Sequence, residues 1–260
     1  MADSSFASRG VVVTGANRGI GQAVALAFLR EGWPVVAVAR TAASLDGLVA
    51  EAGPRGTAIE RMACDVADAE AVARTAAALQ ARSPVPAVLV NNAGVSLSAP
   101  VEKTSRAELE RVLAINTVAP YLLCAALIPR MAKSGGGRVV NIASIAGLRG
   151  LRYTSAYCAS KHALVGLSRA LAVEWAERGV TVNAVCPGWT DTDMLHTAVR
   201  TVTEKTGRSA EQARSAILSH NPLGRAVRPE EVAALVLHLA SPLAASLTGG
   251  ALPVDGGEST

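Results

Sequence analysis

Short apolar runs of strand length alternate with longer segments of helical periodicity along the whole chain. Several runs are continuous in valine, leucine, isoleucine and alanine, which is typical of strands buried on both faces of a parallel sheet. This alternation predicts an α/β fold, a doubly wound parallel sheet of about seven strands with helices on both faces. We expect strands over 10–14, 34–39, 58–64, 87–91, 138–142, 181–186 and 251–254. We expect helices over 20–31, 42–52, 68–81, 105–133, 155–178 and 229–240, in a single domain spanning 1–260.

The alternation is interrupted between about residues 192 and 221. This segment predicts two short helices joined by a turn at Gly207. Ser209, with Gln212 three positions later, predicts a capping box at the start of the second helix. Because an insertion after the last-but-one strand lies at the carboxyl edge of the sheet, we expect a lid over a cleft. The alternative is a surface excursion with no role in binding.

Composition and charge exclude several functional classes. Hydrophobic residues make up 50% of the 260, the net charge is only +4, and lysine and arginine form no cluster. We therefore expect no nucleic-acid partner. No apolar run approaches the roughly 20 residues of a membrane span, and the N-terminus has no apolar signal core, so we expect a cytoplasmic protein without a membrane partner. Four cysteines have neither disulfide nor metal-ligand spacing, and we expect no metal site: Cys64, Cys124, Cys158 and Cys186.

A glycine-rich turn follows the first predicted strand, in the sequence VVVTGANRGIG at 11–21. Gly15 permits a tight turn, Gly19 lets the backbone approach a pyrophosphate, and Gly21 allows close packing of helix on strand. The start of the following helix offers free N–H groups and a partial positive charge to phosphate. We therefore predict a dinucleotide site, with a purely structural turn as the alternative.

The end of the second predicted strand indicates which dinucleotide is bound. An NAD site usually has a carboxylate here for the ribose 2′-hydroxyl, but this chain has Ala39 followed by Arg40. Arg18 stands in the glycine-rich turn, so two guanidinium groups and no carboxylate are available for a 2′-phosphate. We predict NADP(H) in preference to NAD(H). The alternative is that both arginines are solvated surface charges.

Three side chains suited to proton transfer fall within residues 144–161. Tyr157 and Lys161 are four residues apart, which places them on one face of a helix, and a loop can bring Ser144 to the same point. A lysine ammonium near a phenol favours the phenolate, so we expect the pKa of Tyr157 to lie below about 10. Such a phenol beside a hydroxyl donor can protonate a carbonyl oxygen while hydride reaches the carbon. The alternative is an ordinary helix face.

These motifs occur together with others in one order and spacing. The sequence contains TGANRGIG at 14–21, CDV at 64–66, NNAG at 91–94, NIAS at 141–144, YCASK at 157–161, PG at 187–188 and VDGG at 254–257. With this set the chain resembles the short-chain dehydrogenase/reductase family over nearly its whole length, residues 10–257. The resemblance implies a Rossmann-like fold and an enzyme that transfers hydride between a nicotinamide and a ketone or secondary alcohol.

The resemblance also implies roles for individual residues. Ser144 would donate to the substrate carbonyl, and Tyr157 would exchange the proton. Lys161 would bind the nicotinamide ribose and lower the pKa of Tyr157, while Asn116 would bend its helix and hold a water that connects Lys161 to solvent. The implied cofactor contacts are Gly15, Asn17, Arg18, Gly19, Ile20, Gly21, Arg40, Asp65, Val66, Asn92, Ala93, Gly94, Tyr157, Lys161, Pro187, Gly188, Thr190 and Thr192. The implied substrate pocket consists of Ser144, Tyr153, Tyr157, Trp189 and Met194.

Within that family the chain is similar to 3-oxoacyl-thioester reductases that serve acyl carrier protein, CoA and aromatic polyketides. Its length and the segment NPLGR-x-x-x-PEEV, here 221–232, fit them. Carrier-protein reductases often have a basic residue where this chain has Val173, which favours CoA thioesters or small ketones. The alternative is a dehydrogenase of cyclic or aromatic secondary alcohols. A more remote one is a non-catalytic regulator that senses the cofactor.

The predicted helix 155–178 is apolar over more of its circumference than one core requires. Together with helix 105–133 it resembles the four-helix dimer contact of the family, so we expect a homotetramer or a homodimer. The alternative is a helix buried within one subunit.

Overall fold

The computed structural model describes residues 4–260 and contains one sheet of seven parallel strands. The strands are β1 (Val11–Thr14), β2 (Val35–Ala39), β3 (Ile59–Ala63), β4 (Val88–Asn91), β5 (Gly137–Ile142), β6 (Val180–Pro187) and β7 (Ala251–Val254). Their order across the sheet is β3-β2-β1-β4-β5-β6-β7. The chain therefore reverses direction across the sheet between β1 and β4, where doubly wound sheets bind ligands at their carboxyl ends. The predicted fold class is confirmed.

Helices cover both faces of this sheet. They are α1 (Ser4–Ser8), α2 (Gly19–Arg30), α3 (Asp46–Ala52), α4 (Ala69–Gln80), α5 (Arg106–Leu113), α6 (Ala119–Lys133), α7 (Ser155–Trp175), α8 (Asp193–Thr206), α9 (Ala210–Leu218) and α10 (Pro229–Ala240). Each predicted helix is present within a few residues of its expected ends. The short helix α1 has no counterpart among the predictions, because five residues with a single large apolar side chain, Phe6, carry no helical periodicity.

The first three residues of β1 are all valine, and their packing shows why such runs occur in this sheet. Val11 and Val13 pack on one face with α2 and α10, whereas Val12 packs on the other face among residues of α4 and α6. All three side chains are fully buried. Since successive side chains of a strand point to opposite faces, a strand covered on both sides favours apolar residues at successive positions.

The predicted insertion contains the two helices α8 and α9. Gly207 joins them in the left-handed conformation, with φ at +69°. The Ser209 hydroxyl accepts a hydrogen bond from the Gln212 backbone N–H at 3.2 Å, and the Gln212 side chain accepts one from the Ser209 N–H at 3.0 Å. This reciprocal pair is the predicted capping box, so this local prediction is confirmed.

One helical segment, Arg106–Lys133, is long and apolar enough to cross a membrane by length and composition. Half of its apolar window is buried inside the protein, and α6 packs against α4 and β5. A π-helical turn over Ala114–Val118 separates α5 from α6. These contacts are those of a core helix that covers one face of the sheet.

Candidate active site

The glycine-rich turn between β1 and α2 leaves no room for a side chain at its glycines. Gly15 and Gly19 have φ of +65° and +54°, a region that L residues rarely adopt. A Cβ atom on Gly21 would lie 2.2 Å from the carbonyl oxygen of Gly15. No side chain caps the start of α2, where Arg18 is extended, so the first N–H groups of the helix are free for an anion. The turn therefore fits a pyrophosphate group.

The turn is fixed to the end of β4 by polar groups. The Asn92 side chain donates to the carbonyl oxygens of Thr14 and Gly15, at 2.9 and 3.2 Å. In the opposite direction, the Thr14 hydroxyl accepts the backbone N–H groups of Asn92 and Ala93. These bonds hold the carboxyl ends of β1 and β4 together, at the switch point of the sheet.

The two predicted phosphate-binding arginines have different surroundings. Arg40 is exposed directly after β2, beside buried Ala39. Arg18 is also exposed, but its guanidinium lies 2.8 Å from the carboxylate of Asp193 in the first turn of α8. Asp65, after β3, accepts the backbone N–H of Ala67 and remains exposed. The edge that would receive an adenosine thus presents Arg40 directly after β2 and the Asp65 carboxylate after β3.

Ser144, Tyr157 and Lys161 converge beyond the end of β5. Ser144 follows that strand, and the other two lie one turn apart on α7, with Lys161 almost fully buried. The Nζ atom of Lys161 donates to the Ile142 carbonyl at 2.8 Å and lies 5.8 Å from the centre of the Tyr157 ring. A Cβ atom on Gly94 would come within 3.6 Å of the same Nζ, so the lysine also faces the end of β4.

The acidity of Tyr157 differs from the prediction. Burial raises the pKa of Tyr157 to about 12, and the hydrogen bond to Ser144 opposes only part of that shift. Burial also lowers the pKa of Lys161 to about 8. The expected lowered phenol pKa is therefore wrong for this structure, because removal of the phenol from water outweighs the hydrogen bond to Ser144. Tyr157 is held in its protonated, proton-donating form.

Asn116 is fully buried inside the π-helical turn between α5 and α6. Its amide Nδ2 donates to the Val95 carbonyl and to the Ser160 hydroxyl, and its Oδ1 accepts the Val95 N–H. The side chain thus connects the segment after β4 to α7, next to Lys161. The implied water between Asn116 and Lys161 stays a prediction.

The loop after β6 forms a wall that reaches the glycine-rich turn. The Thr190 hydroxyl donates to the Gly188 carbonyl and the Thr192 hydroxyl to the Thr190 carbonyl. A Cβ atom on Gly19 would lie 3.0 Å from the methyl group of Thr192. Pro187, the last residue of β6, begins this loop. The implied cofactor contacts Pro187, Gly188, Thr190 and Thr192 therefore lie on one continuous stretch of chain beside the glycine-rich turn.

A cavity of about 620 Å³ opens beside the first turn of α7. Its lining residues are Ala99, Pro100, Val101, Glu102, Gly150, Leu151, Tyr153, Ser155 and Cys158. Tyr153 contributes its ring from a left-handed backbone conformation, φ +62°, and its carbonyl accepts the Ala99 N–H. The other implied pocket residues lie elsewhere. Trp189 packs with the apolar cluster around Leu195 of α8, and Met194 is exposed on the same helix.

Comparison with known proteins accounts for this combination of features. A family model described as enoyl-(acyl carrier protein) reductase matches residues 15–259. The chain belongs to the short-chain dehydrogenase/reductase family. As a member of this family it is an oxidoreductase of the dehydrogenase and reductase type.

Individual members of the family match over almost the full chain. D-threitol dehydrogenase of Mycolicibacterium smegmatis is 40% identical over 246 residues, covering 95% of this chain and 91% of that protein. A 3-oxoacyl-(acyl-carrier-protein) reductase of Pseudomonas aeruginosa is 37% identical over 253 residues, covering 97% and 98%. The crystal structure of an actinorhodin polyketide ketoreductase variant with NADPH superimposes with a TM-score of 0.92 at 35% identity and covers 100% of both chains.

Sequence reasoning does not identify two buried groups beside this family site. Cys186 at the end of β6 lies near Tyr157 and Lys161, and burial raises its pKa to about 11. Glu258 lies against the Gly188 turn although it is third from the end of the chain. Cys186 directly precedes the PG pair and could have been suspected from that position, whereas no motif marks Glu258.

Within residues 4–260, no group of three or more histidine, cysteine, aspartate or glutamate side chains is placed to hold a metal ion.

Proposed function

We propose that this protein is an NADP(H)-dependent reductase of ketones, and that 3-oxoacyl thioesters are its preferred substrates. The observation that carries the proposal is the convergence of Ser144, Tyr157 and Lys161 beside a pyrophosphate-sized glycine turn, with the phenol protonated. The 37% identity to a 3-oxoacyl-(acyl-carrier-protein) reductase and the full-length likeness to a polyketide ketoreductase support the substrate class.

The choice of NADP(H) over NAD(H) rests on charge. Arg40 follows β2 where a carboxylate would select the 2′-hydroxyl of NAD, and Arg18 lies in the glycine-rich turn. Guanidinium groups bind phosphate through charge-assisted hydrogen bonds, so these two residues would hold the 2′-phosphate. The NADPH in the ketoreductase structure is consistent with this choice. When bound, the nicotinamide supplies hydride to the carbonyl carbon.

Residues of the chain supply the proton and the alignment. Ser144 donates a hydrogen bond to the carbonyl oxygen, and Tyr157 transfers its proton to that oxygen as negative charge develops. A pKa of about 12 keeps the phenol protonated at neutral pH, which suits reduction more than oxidation. The Lys161 ammonium stabilises the phenolate that remains, and its contact with Ile142 fixes its position.

The cavity beside α7 supports an apolar substrate segment next to the carbonyl. Its lining is mostly apolar, and its single charged residue is the acidic Glu102. Arg149, on the neighbouring loop, pairs with Glu258 and is not directed at a substrate anion. The apolar Val173 of α7 stands where carrier-protein reductases often have a basic residue. These features favour a CoA thioester or a small ketone over a carrier-protein substrate.

A substrate panel tests the proposal. With NADPH, acetoacetyl-CoA should give a higher kcat/KM than a carrier-bound analogue, a cyclic ketone or an aryl ketone. With acetoacetyl-CoA, NADPH should give a higher kcat/KM than NADH. Failure to reduce any ketone would reject the reductase assignment, and a preference for NADH would reject the cofactor assignment.

A second candidate is a secondary-alcohol dehydrogenase that works oxidatively. It is favoured by the 40% identity to D-threitol dehydrogenase and by the polar groups of Glu102 and Ser155 in the cavity. Oxidation of threitol with NADP⁺ at a kcat/KM above that for acetoacetyl-CoA reduction would favour this candidate over the reductase.

We also propose a homotetramer, or at least a homodimer, through α5, α6 and α7. Large apolar side chains on this surface are exposed in the single chain, including Val118, Tyr121 and Val173. Covering them with a second copy would remove apolar area from water. Static light scattering at micromolar concentration should give a multiple of the 26.5 kDa chain mass. A monomer mass would reject the proposal.

A further inference from the structure

The C-terminal turn after β7 places a carboxylate in the interior of the protein. Glu258 is only 6% exposed although two residues follow it in the sequence. The turn is rigid, because the Asp255 carboxylate accepts the backbone N–H groups of Gly257 and Ser259, at 3.0 and 2.8 Å. Charged side chains are rarely buried without a partner, so this position needs an explanation.

The Glu258 carboxylate lies between two loops of the active site. Its Oε1 is 3.5 Å from Nη2 of Arg149, and its Oε2 would be 3.0 Å from a Cβ atom on Gly188. Arg149 and the backbone amide of Trp189 both favour the ionised carboxylate. In the described residues, Oε2 has no hydrogen-bond partner of good geometry although it is buried.

Each of these loops forms one side of the cleft. Arg149 lies on the loop that begins near Ser144 and leads into the first turn of α7, which carries Tyr157, and the Arg149 carbonyl faces the Cys158 thiol on α7. Gly188 and Trp189 begin the loop after β6 that reaches Thr192 and the glycine-rich turn. No direct hydrogen bond among the described residues joins Arg149 to Gly188 or Trp189, so Glu258 bridges them.

We propose that Glu258 is a positioning residue that holds the Arg149 loop and the Gly188–Trp189 turn at the spacing required by the nicotinamide and the substrate. This inference rests on the proposed function, since it assigns the two loops to the nicotinamide and the ketone. Glu258 acts through Arg149 and the Trp189 backbone and does not itself touch the reacting atoms.

The ionisation of this carboxylate gives the proposal a distinctive signature. Burial raises the pKa of Glu258, with Asp255 acting in the same direction, while Arg149 and His220 oppose the shift. Protonation removes the attraction to Arg149, so the bridge weakens as pH falls through this raised pKa. NADPH affinity and kcat/KM should therefore both decline on the acidic side in the wild-type protein.

The test compares Glu258→Gln with Glu230→Gln, which removes the same charge from an exposed position in the first turn of α10. Glu258→Gln should weaken NADPH binding, measured by nicotinamide fluorescence, and lower kcat/KM by about tenfold, equivalent to about 1.4 kcal/mol. Its acidic decline should be absent, whereas Glu230→Gln should behave as wild type. In an Arg149→Met background, Glu258→Gln should have a much smaller effect, because the bridge is already broken.

Unchanged NADPH affinity and kcat/KM in Glu258→Gln would overturn the proposal, as would an acidic decline identical to that of wild type. Undiminished effects in the Arg149→Met background would also overturn it. The binding measurement separates this inference from the proposed function: if the wild type reduces no ketone on the panel, the reductase assignment fails. The change in NADPH affinity still decides whether Glu258 positions the loops.

Discussion

The two sides of the cleft are held by different kinds of force. On the cofactor side, the glycine-rich turn is enclosed by backbone atoms and by the Asn92 amide, with no room for a Cβ atom on Gly21. On the other side, the predicted lid helices α8 and α9 enclose a small apolar cluster around Leu195 and Leu218, and an exposed ion pair links α8 to the glycine-rich turn. Arg18 and Asp193, the pair that joins the two sides, are 64% and 62% exposed.

This difference has an energetic meaning. Overpacking a rigid interior costs about 1–3 kcal/mol or more, whereas an exposed ion pair contributes about 0.2–1 kcal/mol. The glycine-rich turn therefore tolerates no added atom, whereas the ion pair between this turn and α8 can be broken at small cost. We expect this contact, and not the turn, to yield if α8 and α9 adjust to a substrate.

The largest effect should come from substituting Gly21 with alanine. Its Cβ atom would overlap the Gly15 carbonyl and the Asn92 amide, both part of the rigid turn. We expect loss of measurable NADPH binding and a destabilisation of about 3 kcal/mol or more, which for a chain of this size lowers Tm by roughly 6–12 °C. Gly47→Ala is the matched control, because nothing lies within 4 Å of its Cβ position on α3. Normal NADPH binding by Gly21→Ala would show that the turn is not rigid.

Removal of the Tyr157 hydroxyl should give the next largest effect, on turnover alone. Tyr157→Phe keeps the ring but removes the proton that ketone reduction needs, so kcat should fall by about 10²–10⁴-fold. NADPH affinity should remain within about twofold, since the glycine turn and Lys161 are unchanged. Stopped-flow kinetics and fluorescence titration measure the two quantities. A fall in NADPH affinity as large as the fall in kcat would show that the Tyr157 hydroxyl serves mainly to bind the cofactor.

The same contrast explains what could be predicted from the sequence. The glycine turn, the Tyr157–Lys161 pair and the Ser209 capping box depend on residues a few positions apart, so spacing alone predicts their geometry. Contacts between distant segments could not be predicted in this way. Arg18 meets Asp193 across 175 positions and Arg149 meets Glu258 across 109.

The pKa of Tyr157 is the instructive error among the predictions. Sequence shows which charges are near a phenol but not how completely water is excluded from it. Here burial dominates and raises the pKa to about 12, although Lys161 lies one turn away. The fold and the position of the candidate site were therefore predictable, whereas the electrostatics within the site required the packed structure.

A pH profile of kcat/KM tests the role of Lys161, and its expected effect is of intermediate size. Burial lowers the pKa of Lys161 to about 8, so its ammonium loses charge as pH rises through that value, while Tyr157 stays protonated. NADPH-dependent kcat/KM should be level near neutrality and fall by about tenfold above pH ~8, because the phenolate left after proton transfer is no longer stabilised. A rate that stays level from pH 7 to 10 would contradict the role given to the lysine.

The smallest effect should come from the ion pair that joins the two sides. Asp193→Asn removes the partner of Arg18 while both side chains remain exposed, so Tm should change by less than about 4 °C. Because Arg18 is then free for the 2′-phosphate, NADPH should bind up to about fivefold more tightly, which corresponds to about 1 kcal/mol. NADH affinity should not change. Glu204→Gln, on the exposed surface of α8, controls for the loss of one negative charge. If Asp193→Asn instead destabilised the protein as much as Gly21→Ala, the lid would be as rigidly held as the turn, and the contrast between the two sides would be wrong.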